Sequence, residues 1–404
     1  MRFAVSIAAV FALSSTASAD SDSHSNPLVT ELPFSGAIKG AAGRKVNKAG
    51  RRAVSAKSTL RPADVPGRVG NPTFTVAPGW RLRPGADRGL DLQLSGSLPI
   101  RHGDPGAAGR RAQQIELQWW KQRARQQLTD QRIVAARAWL DAWRSRREAE
   151  LANKRLATAR ALAANSTRAL ELRAATRGDV AAARSYLAEA RVQAIDARGK
   201  LYDAEVELGA QVGLPVGTVV RAAAALPSPP LSRPATSKLK TMVEGLPAVA
   251  VARLNQRAVV ARRTELRSKQ SARTSLLVQV QRESPDAWIV FGGASVTLPW
   301  QARGQRALAE SRADGEWAAG QLELERRRAA TALVLALHEV EHTARVLKSI
   351  ESQALPRAVE LVDVSRRLHK AGEITTRELL LAEQRAHGVE LLAVEARAAA
   401  AWAR

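Results

Sequence analysis

The residues of this 404-residue chain best placed to do chemistry are two histidines and a glutamate at metal-ligand spacing. His338-Glu339-Val340-Glu341-His342 matches H-E-x-x-H, in which two imidazoles one helical turn apart hold zinc and the glutamate acts as base. The surroundings argue against hydrolysis. Val340 falls in an apolar heptad-like series, no later cluster supplies a third ligand, and a bare long helix offers no cleft. We therefore expect no metal centre at His338 and His342 beyond an incidental surface ion. Elsewhere there is no nucleophile and base pairing, phosphate loop or carboxylate pair, so the chain reads as a non-enzyme without a cofactor. Two further charges matter for their position: Arg184 and Glu378 each stand six residues past a glycine, Gly178 and Gly372, that closes a long helical pattern.

Those glycines belong to a duplication. Ser295-Val296-Thr297-Leu298-Pro299-Trp300 ends an alternating run and opens onto a long helical pattern, and Ser95-Gly96-Ser97-Leu98-Pro99-Ile100 does the same two hundred positions earlier. Each long pattern reaches a glycine, an acid and a β-branched residue, Gly178-Asp179-Val180 and Gly372-Glu373-Ile374. Each then shows Leu-Ala-Glu, at 187–189 and 381–383. The repeating unit is a strand pair, a very long helix, a tight turn and a shorter return helix. On this alignment the second long helix is about six residues shorter, and Gly103, Gly106 and Gly109 absorb the difference.

The strand pairs alternate with period two. Residues 73–76 and 90–94 flank a turn cluster at 84–87, and residues 276–280 and 288–291 flank another at 283–286. Strands of about ten to thirteen residues suit either a soluble hairpin packed on helices or a tilted membrane strand. Trp80, Trp288 and Trp300, in or at the ends of the strands, tilt the balance toward a membrane interface. Long helices are expected over 107–176 and 306–370, return helices over 180–212 and 375–401, and a lead-in helix over 248–272. In the second long helix, Leu333, Leu337, Val340, Ala344, Leu347, Ile350, Ala354, Ala358, Leu361, Val364 and Leu368 step by three or four as a coiled-coil seam, which Pro356 bends.

Composition restricts the setting. Arg2, an apolar run over 3–13 and Ala17-Ser18-Ala19 read as a secretory signal, with the mature chain starting at Asp20. There are no cysteines, so neither disulfides nor a lipidated cysteine is expected. The longest later apolar run, 329–337, is half of what a membrane helix needs, so any membrane segment must be a closed β-barrel. Export makes nucleic acid an unlikely partner for the net charge of +24, which fits an anionic surface instead. The organisation is thus signal 1–19, a weakly patterned stretch 20–70 with a short helix expected over 46–60, first repeat 71–213, proline-rich connector 214–247 and second repeat 248–404.

This order resembles the TolC-type outer-membrane efflux family, nearest its heavy-metal and multidrug exporter branches. The matching pieces are residues 294–300 with Arg303-Gly304-Gln305-Arg306, the Leu214-Pro215 end of the first repeat, and Pro356 ahead of Lys370-Ala371-Gly372-Glu373-Ile374. The resemblance implies a mainly α protein with duplicated long-helix hairpins and four membrane strands per protomer, closed by a homotrimer into a twelve-stranded barrel in outer-membrane lipid. It implies a passive exit duct in the outer membrane that extends into the periplasm and works with a periplasmic adaptor and an inner-membrane pump. Gly178, Asp179, Val180, Gly372, Glu373 and Ile374 would then be the adaptor-docking tips, with Arg184 and Glu378 pairing as the gate. The alternative is a soluble periplasmic coiled-coil adaptor or scaffold without a barrel.

Overall fold

The computed structural model describes residues 30–41, 71–81, 89–101, 105–215, 217–226, 238–270, 273–284, 287–297 and 304–403. The signal, the helix expected over 46–60 and the Leu298-Pro299-Trp300 stretch lie outside these residues. The first arm is one helix, α2 (Pro105–Glu171) of 67 residues, and the return is α3 (Arg177–Val212). Its counterpart in the second half is α6 (Gln305–Ser349), a π-helical turn (Ile350–Ala354) and α7 (Leu355–Ala371), followed by α8 (Thr376–Ala403). Residues 305–371 also number 67, so the two arms are equal in length and the expected six-residue difference is not there. At 1.5 Å per residue each arm runs about 100 Å.

Alanine explains how such long helices pack. Buried positions on α3 include Ala190, Ala194 and Ala197, facing Ala149, Ala152 and Ala159 of α2 around Tyr186 and Leu156. Small side chains let the axes approach closely, so a thin layer buries a continuous seam without a thick core. In addition, α2 packs against α5 (Pro247–Lys269) and α8, and α6 packs against α5 and α8. The sequence seam of the second arm holds down to Ala358 and then changes phase. Val362 and Ser365 are buried, whereas Leu361 and Val364, expected in the seam, are exposed. The π turn is the cause: each wide turn holds one extra residue and advances the face that follows. Pro356 has no N–H to give Ser352, and the chain accommodates this by widening the turn before it, with Leu355 N–H bonded to Ile350 O.

A belt of short elements wraps the arms midway. Strand β1 (Thr30–Leu32) pairs parallel with β4 (Val220–Ala222), beside α1 (Phe34–Ala41). A further short helix, α4 (Leu239–Gly245), precedes α5. The connector is therefore structured in part, not irregular throughout. Side chains one or two turns apart on α2 fasten the belt. Trp139 Nε1 donates to Leu32 O at 2.8 Å, Trp143 Nε1 to Ala224 O at 3.1 Å and Arg146 to Ala222 O at 3.1 Å.

The remaining strands form one antiparallel sheet, β2 (Thr73–Arg81), β3 (Gly89–Arg101), β5 (Arg273–Ser284) and β6 (Ala287–Thr297), in the order β2-β3-β5-β6. Pro99 does not end its strand. It sits within β3 opposite Ser275, beyond the Thr73–Ser97 pair where β2 stops, so only one neighbour flanks it and its missing N–H costs no ladder bond on the open side. Where the chain re-enters the helices, Gly304 adopts φ 95 and its carbonyl accepts from Gln270 Nε2 at 3.0 Å, tying α6 to the end of α5.

Candidate functional site

The sheet has two different faces. Cross-strand partners share a face, so the register sorts every residue. One face carries Leu92, Leu94, Leu98 and Ile100 of β3 with Leu276, Val278 and Val280 of β5, Val290 and Val296 of β6, and Phe74 and Val76 of β2. The other carries Gln93, Ser95, Ser97, Gln279, Gln281, Ser275, Thr73 and Thr75, with Ala77, Pro99, Leu277, Ile289 and Phe291 among its apolar members. On the polar face Thr73 Oγ1 and Ser97 Oγ lie 2.6 Å apart.

Among the described residues no helix covers the apolar face: Phe74, Val76, Leu276, Val278, Val290 and Val296 are each between 48% and 80% exposed. Trp288 stands on the same face, and Arg282 lies over its ring at 5.9 Å. The outer edges of β2 and β6 have no partner strand among the described residues. An apolar surface this large with two open edges is stable in water only when something covers it.

At the other end of the arms are two tips, and both close by the same device. In the second, Gly372 N–H bonds to His369 O and Glu373 N–H to Leu368 O, a Schellman motif with Gly372 at φ 77. In the first, Arg173 N–H bonds to Leu170 O and Ala174 N–H to Ala169 O, with Arg173 at φ 57. Arg173, not Gly178, is therefore the counterpart of Gly372. Gly178 is inside the first turn of α3.

The helices that follow start alike. Thr176 Oγ1 accepts from Asp179 N–H at 3.2 Å, while Asp179 Oδ2 accepts from Thr176 N–H at 2.9 Å and from its hydroxyl at 2.7 Å. Thr375 and Glu378 repeat the pattern at 3.3, 2.8 and 2.9 Å. Both are capping boxes, and they set the true register of the repeat.

This register moves the expected site residues. Glu378 matches Asp179, and Arg184 matches Glu383, which Arg366 binds at 2.8 Å. Arg184 and Glu378 are thus not equivalent and differ by five residues in level, about 7.5 Å along the helix. Glu378 caps α8 through Thr375, and Arg184 is exposed on α3. Val180 is 6% exposed and packs inward, whereas Leu172, which the sequence did not single out, is 79% exposed at the first tip. Gly178, Gly372 and Glu373 are exposed, and Asp179 and Ile374 half-buried. A cleft of about 870 Å³ lies between the tips, lined among others by Leu162, Asn165, His369 and Gly372.

The caps titrate. Hydrogen bonds from Thr176 hold the Asp179 carboxyl below its ordinary range, and those from Thr375 do the same for Glu378. A depressed folded-state pKa gives stability that is present above the unfolded carboxylate value and lost as pH falls through the folded value. The starts of α3 and α8 are accordingly expected to fray in acid, below about pH 4. Thr176→Ala should reproduce the fraying of α3 at neutral pH at a cost of about 1 kcal/mol, seen as faster amide exchange over residues 177–181 and no change beyond α3's second turn.

His338 and His342 project from α6, exposed, with rings stacked 6.1 Å apart. Among the described residues no group of three or more His, Cys, Asp or Glu is placed to hold a metal ion. Between the belt and the tips lies Arg155, which no motif or periodicity singles out. It is almost fully buried, lies over the Tyr186 ring at 4.8 Å, and bonds Tyr186 Oη, Gln193 and Glu189, clamping α2 to α3.

No model of a known protein family matches the chain, and no curated protein sequence matches it. Solved structures do. A membrane protein from Pseudomonas aeruginosa aligns with TM-score 0.74 at 15% identity, covering 96% of this chain and 93% of that one. CusC, in a study of folding and transmembrane channel formation, gives 0.67 at 13%, covering 95% and 93%. The outer membrane protein VceC from Vibrio cholerae gives 0.67 at 15%, covering 91% and 93%. At these identities the likeness is one of fold.

Proposed function

We propose that this chain, which has the fold of the TolC-type outer-membrane channels, is itself an outer-membrane exit duct that passively conducts small solutes out of the periplasm. The observation that carries the reading is the uncovered apolar face of the sheet. A soluble adaptor or scaffold would bury that face under helices, and here the strands contact only one another among the principal packing pairs. Strands of 9 to 13 residues match the length a tilted membrane strand needs. Four strands with two open edges cannot satisfy their backbone in lipid, and three copies joined from β2 to β6 make a closed twelve-stranded barrel. The halves 71–213 and 248–404 are then two copies of one hairpin unit, whose helices continue the barrel as a periplasmic tunnel.

The tips would dock a periplasmic adaptor linked to an inner-membrane pump, which supplies the energy. Exposed Leu172, Gly178, Gly372 and Glu373 offer the contact, and closure at this level would involve Arg184 against a neighbouring protomer. The test is to reconstitute the full chain in planar bilayers and to follow heat-dependent dissociation of a trimer on gels. A discrete conducting trimer is expected, with larger conductance for Arg184→Glu. A protein that fractionates as a soluble monomer overturns the duct, and unchanged conductance in Arg184→Glu removes Arg184 from the gate.

A further inference from the structure

The first tip keeps a strained residue where the second has none. Thr176 and Thr375 match as caps, so Leu172 and Arg173 stand where the second tip has Ala371 and Gly372. At φ 57 the Arg173 Cβ crowds the following carbonyl, a strain that glycine escapes. Strain kept where a simpler residue would relieve it points to a use for the side chain. The surroundings indicate the use. Leu172 is 79% exposed, more than any large apolar side chain on the helices. Arg168 and Arg177 are exposed on either side of it in sequence, and none of the three arginines has a carboxylate partner among the described residues. Of the nearby acids, Glu171 is exposed and Asp179 is held by Thr176. The second tip offers nothing similar: Ala371 has little apolar area, Gly372 has no side chain, and Thr376, in the place of Arg177, is 4% exposed.

Resting on the exit duct proposed above, we infer that the first tip alone anchors the periplasmic partner, and that the partner's matching surface is acidic. That surface holds an apolar pocket for Leu172, with carboxylates set to receive Arg173, Arg168 and Arg177. Arginine suits such a rim, because its planar fork meets a carboxylate with two parallel hydrogen bonds. The side chain at 173 is what the strained turn gains over glycine. Three protomers present three such anchors, and the three second tips add contact without one. The arginines are exposed, so the contact weakens with salt as the Debye length falls from about 10 Å at 0.1 M to about 3 Å at 1 M.

A benzophenone side chain in place of Ala174, exposed beside Arg173, tests this in the native cells, with the cross-linked peptide read by mass spectrometry. The expected adduct joins the full chain to a periplasmic protein at a segment where apolar residues stand among Asp and Glu. Its yield should fall several-fold with Leu172→Ser, Arg173→Glu and Arg173→Gly, and hold with Ala371→Ser at the second tip. Arg173→Gly separates docking from folding. It relieves the turn, so it should slow exchange of the Leu172 and Ala174 amides several-fold while lowering the yield. Exchange that is not slowed, or a yield that Arg173→Gly leaves unchanged, overturns the inference. So does an adduct with lipid or with a second copy of this chain, an adduct at a segment without acids, or no adduct. The same variants are reconstituted in planar bilayers. Conduction without the expected adduct leaves the duct standing, and a chain that conducts in no lipid overturns the duct and the inference with it.

Discussion

Val278→Arg is expected to abolish insertion of the barrel, while Gln279→Arg, one residue away, leaves it standing. Val278 is on the apolar face near the middle of β5, opposite Gly96 on one side and Gly292 on the other. With small neighbours it has no side chain to hide a guanidinium, and in lipid the group would meet hydrocarbon near the midplane. That position costs about 2–4 kcal/mol for an arginine, and the trimer would bear it three times. In the barrel proposed above Gln279 would face the lumen, where water solvates the charge. The measurement is the yield of heat-modifiable trimer after refolding into phosphatidylcholine vesicles. Near-complete loss for Val278→Arg and near wild-type yield for Gln279→Arg are expected. If both variants insert equally, the two faces are not lipid and water, and the sheet must be covered by protein instead.

That prediction rests on a pattern the sequence already carried. Alternation is strict over 73–76 and 90–94 and marks the first hairpin, whereas Leu277 interrupts it in 276–280 and 288–291 is apolar throughout, so the face of Ile289 and Phe291 comes only from the register. The second long helix was legible because apolar steps of three and four run from Leu333 to Leu368 and leave few alternatives. The tips were not. Gly178-Asp179-Val180 and Gly372-Glu373-Ile374 look alike as letters, yet one is the start of a helix and the other the end. What the two tips share is threonine three residues before an acid, Thr176 with Asp179 and Thr375 with Glu378, and that capping signature is the safer guide to register. The left-handed position itself was unreadable, because Arg173 fills in the first tip the place that Gly372 fills in the second.

Two other features escaped the sequence for physical reasons. Strands β1 and β4 are three residues each and pair across about 190 positions, so neither has a period long enough to detect. The seam beyond Ala358 was misjudged because periodicity assumes a uniform helix, and the π turn at Ile350–Ala354 inserts a step that no local composition announces. Leu361 and Val364, displaced from the seam, are exposed three residues apart on one side of α7.

Trp139→Ala is expected to release the belt from the arms while leaving the helices intact. Trp139 is fully buried, its ring meets Phe34 edge-on at 5.2 Å, and its Nε1 holds the Leu32 carbonyl. Removing the ring leaves a large cavity among Leu208, Val220 and Ala222, worth about 3–5 kcal/mol, while the Leu32 carbonyl keeps its bond from Ala223 N–H at 3.1 Å. The arms lose little, because their alanine seams lie elsewhere along the axis. Limited proteolysis should therefore open new sites within residues 30–41 and 217–226 with helicity unchanged. Trp139→Phe restores packing without the hydrogen bond and should stand between alanine and wild type. Trp317→Ala, at an exposed ring on α6, should behave as wild type. Equal protease resistance in Trp139→Ala and Trp317→Ala would mean that Trp143, Arg146 and Arg147 hold the belt without it, since each also donates to a carbonyl within 222–224.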